Sequence, residues 1–185
     1  MKVLLINGSP KSNGNTFVAL NEVSETLRSE GVDTEIIHVG SKPLRGCLAC
    51  GQCNALKECV THDLVNEVLS KFKDADGLVV GSPVYYASPA GTLVSFLDRL
   101  FFSSKFDKTM KVGAALAVAR RGGTTATLDV LNKYLTYGGF HDFEHAGRFI
   151  ELLEQCPRRG PRRSQRGRRG PADHAQTRKE YGVSY

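Results

Sequence analysis

Residues 1–16, MKVLLINGSPKSNGNT, constrain the fold more than any other stretch of this chain. Val3, Leu4, Leu5 and Ile6 form the short apolar run that a buried parallel strand needs. Gly8, Ser9 and Pro10 end it with a turn signal. Beyond the turn, Asn15 or Thr16 is placed to cap a helix whose apolar face is Phe17, Leu20, Val23 and Leu27. Strand, small polar loop and helix aim backbone N–H groups and the positive end of a helix at one spot, where a phosphate fits. The loop is neither a Walker A motif nor the GxGxxG fingerprint. It is still rich in donors, with Ser9, Lys11, Ser12, Asn15 and Thr16 all offering one.

The same alternation continues. The pattern predicts a helix over 17–30 closed by Gly31, a strand over 32–39, a long loop over 40–62 and an amphipathic helix over 63–73. A buried strand at 78–80 runs into the turn-like segment GSPVYYASP. A helix over about 90–102, a strand over 112–119 and a helix over 124–137 follow. Strands alternating with helices imply a parallel sheet wound on both faces, with ligands outside the carboxyl ends of the strands. The loops at 8–16, 82–90 and 119–124 all fall at that end. Pro83, Val84, Tyr85 and Tyr86 read either as a turn with packed aromatics or as amides and a ring facing a flat heterocycle. Ala119, Arg120, Gly122 and Gly123 read either as a solvated helix start or as a close approach to a ring edge.

Two motifs resemble those of the flavodoxin-like FMN reductases. Residues 8–16 match that family's phosphate loop, GSP(R/K)xxGNT, nearly residue for residue. The segment GSPVYYASPAGTLVSFLDRL is similar to the recurring form GSPVYxxxxxGxxKxFxDR; Phe96, Asp98 and Arg99 match, and Val94 stands where Lys is common. The resemblance spans residues 1 to about 137. It implies FMN as cofactor, with the phosphate on Ser9, Lys11, Ser12, Asn15 and Thr16. The isoalloxazine would lie against Pro83, Val84, Tyr85 and Tyr86, together with Ala119, Arg120, Gly122 and Gly123. It also implies NAD(P)H as reductant and a homodimer or homotetramer. No protein acid or base is required, because the flavin carries the chemistry.

Four of the five cysteines crowd into thirteen residues, as Cys47-x2-Cys50-x2-Cys53-x5-Cys59. In a reducing compartment that crowding argues for a metal or cluster site over disulfides. Four thiolates suit a [4Fe–4S] cluster, zinc in a tetrahedral site, or no metal at all as free redox-active thiols. The spacing resembles that of the iron–sulfur flavoproteins, a branch of the same family. His62 and Asp63 read as a helix start and not as ligands.

The net charge of +6 is unevenly spread. Residues 157–185 hold eight Arg and one Lys against Asp173 and Glu180; the remainder holds 16 basic and 17 acidic residues. A nearly neutral body argues against nucleic acid as a partner. No run approaches the roughly 18 apolar residues of a membrane span, and no secretory signal is visible, so a cytoplasmic protein is expected.

Residues 141–185 form an atypical Arg-rich tail in which the family resemblance stops. Disorder, a nucleic-acid-binding arm, and a shifted reading frame beginning near residues 138–141 are the three readings. The charge break and the lack of a final strand and helix favour the frameshift. A one-base shift, with degenerate codons chosen freely, forces no stop codon and yields an amphipathic helical pattern at the end. Sequencing of the coding DNA that met stops in that frame would sink the idea.

The expectation is therefore a flavodoxin-like three-layer α/β sandwich over residues 1–140, with a Cys-rich loop at 44–60. Counting strands along the sequence, the sheet order is 2-1-3-4, with strand 5 displaced or absent. The expected activity is an FMN-dependent oxidoreductase passing electrons from NAD(P)H to a quinone-like or iron–sulfur acceptor, either a small molecule or a redox protein. A non-enzymatic FMN/[4Fe–4S] carrier between protein partners and a zinc-stabilised nucleic-acid binder are the alternatives.

Overall fold

The computed structural model describes residues 1–137 and the backbone of residues 151–155. In chain order the elements are β1 (Lys2–Asn7), α1 (Asn15–Ser29), β2 (Asp33–His38), α2 (Cys53–Leu56), α3 (Leu64–Asp74) and β3 (Gly77–Tyr85). They continue with β4 (Ser88–Pro89), α4 (Gly91–Ser103), β5 (Val112–Ala119), α5 (Thr124–Tyr137) and β6 (Glu151–Gln155). The main sheet runs β2-β1-β3-β5-β6, every pair parallel.

Side chains alternate across the sheet with the period of two that a strand imposes. Leu4, Ile6, Leu78, Val80, Ala115 and Ala117 share one buried cluster with residues of α3, α4 and α5. Leu5, Val79, Leu116 and Val118 point the other way, to Ala19 and Leu20 of α1. The three-layer sandwich follows from that alternation: a strand buried on both faces needs a helix against each. Among the described residues no helix is long and apolar enough to cross a membrane.

Three details depart from the sequence reading. Helix α1 is capped by Gly14, with no side-chain cap, in place of Asn15 or Thr16, which lie inside the helix. Residues 83–85 are not loop: β3 continues through Tyr85, and Pro83 stands opposite Val118 of β5. Pairing of β3 with β1 stops at Gly81, so one side of the strand is open where proline lacks its N–H. Finally, Glu151–Gln155 pairs with Ala115–Ala119 at the sheet edge, supplying a fifth parallel strand within the segment assigned to the tail. The remaining readings of the tail, disorder, frameshift and last helix included, lie outside the described residues.

Candidate functional site

The carboxyl ends of β1, β3 and β5 bring the three expected loops together. Asn7, the last residue of β1, is fully buried. Its Oδ1 accepts the Ser9 N–H at 3.0 Å, and its Nδ2 donates to the Ser12 carbonyl at 3.3 Å. Ser9 Oγ accepts the Lys11 N–H at 3.2 Å. From the end of β2, His38 Nε2 lies 2.7 Å from the Ser9 carbonyl; a carbonyl only accepts, so Nε2 carries the proton. Gly40 backs the loop so closely that a β-carbon there would strike the Ser9 and Gly8 carbonyls. Hydrogen bonds of Asn7, Ser9 and His38, with Gly40 packed behind, thus fold the loop 8–14 onto itself.

That folding leaves the start of α1 open. The first amides of a helix have no intrahelical acceptor, and among the described residues no side chain caps those of α1. Ser9 and Thr16 are buried beside it, while Lys11, Ser12 and Asn15 are exposed. A polar cradle with unpaired N–H groups at the positive end of a helix is suited to an anion.

The second wall is the end of β3. Gly8 N–H donates to the Gly81 carbonyl at 2.8 Å, tying the first loop to this strand. Buried Ser82 accepts the Ala90 N–H at 3.0 Å and donates to the Pro83 carbonyl at 2.8 Å, so it fixes both the strand end and the entry to α4. Tyr85 pairs with Ser88 across a two-residue hairpin whose central residues, Tyr86 and Ala87, both have positive φ (49° and 57°). Such turns favour Asn-Gly, and a Tyr-Ala pair there is strained. Tyr86 is wholly exposed and Tyr85 half exposed.

The third wall is the turn after β5. Gly123 has φ +90°, and a β-carbon on it would stand 2.9 Å from Ala87 Cα and 3.1 Å from Val84 Cγ1. The turn therefore rests directly on the hairpin. Arg120 and Gly122 are exposed beside it, and Ala119 is half-buried.

The cysteines lie elsewhere, along α4. Cys47, Cys50, Cys53 and Cys59 all line one cavity of about 340 Å³, with Arg99 and Phe102 of α4 among its other walls. None forms a disulfide; Cys47 and Cys50 are exposed, Cys53 and Cys59 half-buried. Among the described residues, no three His, Cys, Asp or Glu side chains stand close enough to share a metal ion. The sulfurs ring the cavity without converging. Four thiols around a single space are the donor type that a thiolate-bound metal or cluster takes.

Arg99 is the residue whose role the sequence did not disclose. It is 2% exposed and donates to both carboxylate oxygens of Asp63, at 2.7 and 2.9 Å. Asp63 itself caps α3 by accepting the Val65 N–H, as the reading of it as a helix start requires. Burial pushes the Asp63 carboxyl up, but the Arg99 and Val65 hydrogen bonds outweigh it and hold it below the usual value. The partners lie 36 or more residues from Arg99 in sequence; only the Asp98-Arg99 match hinted at a role.

Comparison with known proteins supplies the wider setting. Residues 1–147 match the family described as NADPH-dependent FMN reductase. An iron-sulfur flavoprotein of Methanocaldococcus jannaschii is 36% identical over 137 residues, 72% of this chain and 71% of its own length. An iron-sulfur flavoprotein of Methanosarcina thermophila is 31% identical over 143 residues, 75% of each. Among solved structures, an NADH:FMN oxidoreductase in its apo form aligns with a TM-score of 0.53 at 27% identity, covering 72% of this chain and 67% of that one.

Proposed function

The chain belongs to the NADPH-dependent FMN reductase family, and from that premise we propose that its three-loop cleft holds FMN and that its cysteine loop holds a [4Fe–4S] cluster. The protein is an FMN-dependent oxidoreductase reduced by NAD(P)H. The proposal concerns where the cofactors sit and where the electrons go.

The observation that carries it is the meeting of an uncapped helix start with two fixed walls. The amides at the start of α1, with Ser9, Lys11, Ser12, Asn15 and Thr16, take the FMN phosphate. Asn7 and His38 keep that cradle in shape from behind. Pro83, Val84, Tyr85 and Tyr86 line one side of the ring, and Ala119, Arg120, Gly122 and Gly123 the other. Arg120 brings positive charge to the ring edge where negative charge gathers on reduction. The flavin, once bound, would supply the acceptance of a hydride and the passing on of its two electrons singly or as a pair, with the proton going to solvent. The residues here bind, orient and shield; none is assigned a proton to move.

Cys47, Cys50, Cys53 and Cys59 would hold the cluster, which supplies one-electron steps. The electron acceptor is then a quinone-like small molecule or a redox protein reached through that loop, and the protein works as a homo-oligomer.

The test is an anaerobic absorbance spectrum of the full chain, with iron and acid-labile sulfide assayed on the same sample, followed by addition of NADPH. Flavin bands that bleach with NADPH, together with about four irons per chain, are expected. Bleaching without iron would remove the cluster and keep the flavin site. A sample that never takes up FMN would overturn the proposal.

A further inference from the structure

We infer that Arg99 is the positioning residue of the cysteine loop: it holds Cys59 as a fixed post, and the arm bearing Cys47 and Cys50 closes onto it when a cluster is bound. This rests on the reading of that loop as a cluster site.

The two halves of the loop are held very differently. Arg99 Nε donates to Cys59 Sγ at 3.3 Å, while its terminal nitrogens grip Asp63 and the Thr61 carbonyl (3.0 Å). The Cys59 backbone is held as well: its N–H donates to Asn66 Oδ1 at 3.1 Å, and Asn66 Nδ2 donates back to its carbonyl at 2.8 Å. Sulfur, amide and carbonyl of one residue are therefore all engaged, from α3 on one side and α4 on the other. Among the described residues, the hydrogen bond from Arg99 that reaches towards the other arm is a long one, to the Arg45 carbonyl at 3.5 Å.

The other arm has little to hold it. Cys47 and Cys50 are exposed, and among the described residues the hydrogen bond to either sulfur is local, the Ala49 N–H on Cys47 Sγ at 3.4 Å. Ala49 and Gly51 flank Cys50 with positive φ, so the arm is a sequence of tight turns. The four cysteines line one cavity, and as the loop stands no three of them are close enough to share a metal ion; the arm must therefore move for a cluster to be held.

Helix α4 gives the post a second property. Its entry is pinned at Ala90 by Ser82, a residue of the proposed flavin wall. Arg99 lies nine residues further on, about 13 Å along the helix axis. One helix is therefore tied at its entry to the strand that forms the proposed flavin wall and, through Arg99, to the fixed thiol. Arg99 donates to Cys59, Asp63 and Thr61 at once through one planar fork; an ammonium has no such geometry. A hydrogen bond to a ligand sulfur also raises the potential of a bound cluster.

Wild type and Arg99→Lys, both full-length, are compared in two ways. In anaerobically reconstituted protein, Arg99→Lys should retain FMN, show a lower cluster potential and release iron to a chelator about tenfold faster. In metal-free protein, hydrogen exchange of residues 59–63 should be slow and that of 46–52 fast, and Arg99→Lys should abolish the difference. Equal exchange of the two segments in wild type, or unchanged potential and iron release in the variant, would overturn the inference. A wild type that takes up no iron would sink the cluster reading instead, and the exchange pattern would still decide the role of Arg99. Should Arg99→Lys fail to fold, the wild-type exchange pattern decides alone.

Discussion

Gly123 lies so close to Ala87 that a β-carbon added to it would stand 2.9 Å from the Ala87 Cα. The contact joins the turn after β5 to the Tyr86-Ala87 hairpin, the two walls of the proposed ring site. Gly123→Ala faces both this clash and a φ of +90° that L side chains rarely adopt. The variant should bind FMN at least about tenfold more weakly, equivalent to about 1.4 kcal/mol, in a fluorescence titration. Gly91→Ala, where a β-carbon meets nothing within 4 Å, is the control and should bind as wild type does.

Asn7 is the hidden support of the proposed phosphate cradle. Asn7→Ala removes the acceptor of the Ser9 N–H and the donor to the Ser12 carbonyl in a fully buried position. Leaving a buried polar group unpaired costs about 1–3 kcal/mol. A loss of thermal stability in the apo protein, accompanied by weaker FMN binding, is the expected result of calorimetry and titration on the same variant.

The Asp63–Arg99 pair sets a pH dependence of stability. The Asp63 carboxyl is held below its ordinary value of 3.8 in the folded chain. Its stabilising contribution is therefore fully present above that value and is lost as pH falls through the lower, folded one. Asp63→Asn should be less stable than wild type at neutral pH, and its stability should fall less steeply below about pH 4. Denaturant melts at a series of pH values check both signs.

Much of this was legible in sequence because it rests on local pattern. The run Val3-Leu4-Leu5-Ile6, the turn at Gly8-Ser9-Pro10 and the spacing of Val65, Val68, Leu69 and Phe72 each report their element through period and breakers. Proline at 83 misled for a physical reason. It forbids a ladder only where a partner needs its N–H, and past Gly81 the β1 side of β3 has none. The cap at Gly14 was hidden because a bound anion can do the work of a capping side chain. Asn7, His38 and Arg99 were illegible because their roles depend on partners brought near by the fold; the Cys59 partner of Arg99 is 40 residues away. Sequence spacing placed four cysteines together, but not the difference between the one that is held and the two that are exposed.

The most direct measurement is a titration of the apo full-length chain with FMN and, separately, with riboflavin, which lacks only the phosphate. If the uncapped start of α1 binds that phosphate through charge-assisted hydrogen bonds, riboflavin should bind at least about a hundredfold more weakly. Riboflavin binding within about threefold of FMN would contradict the placement of the phosphate at residues 8–16, and with it the site built around that loop.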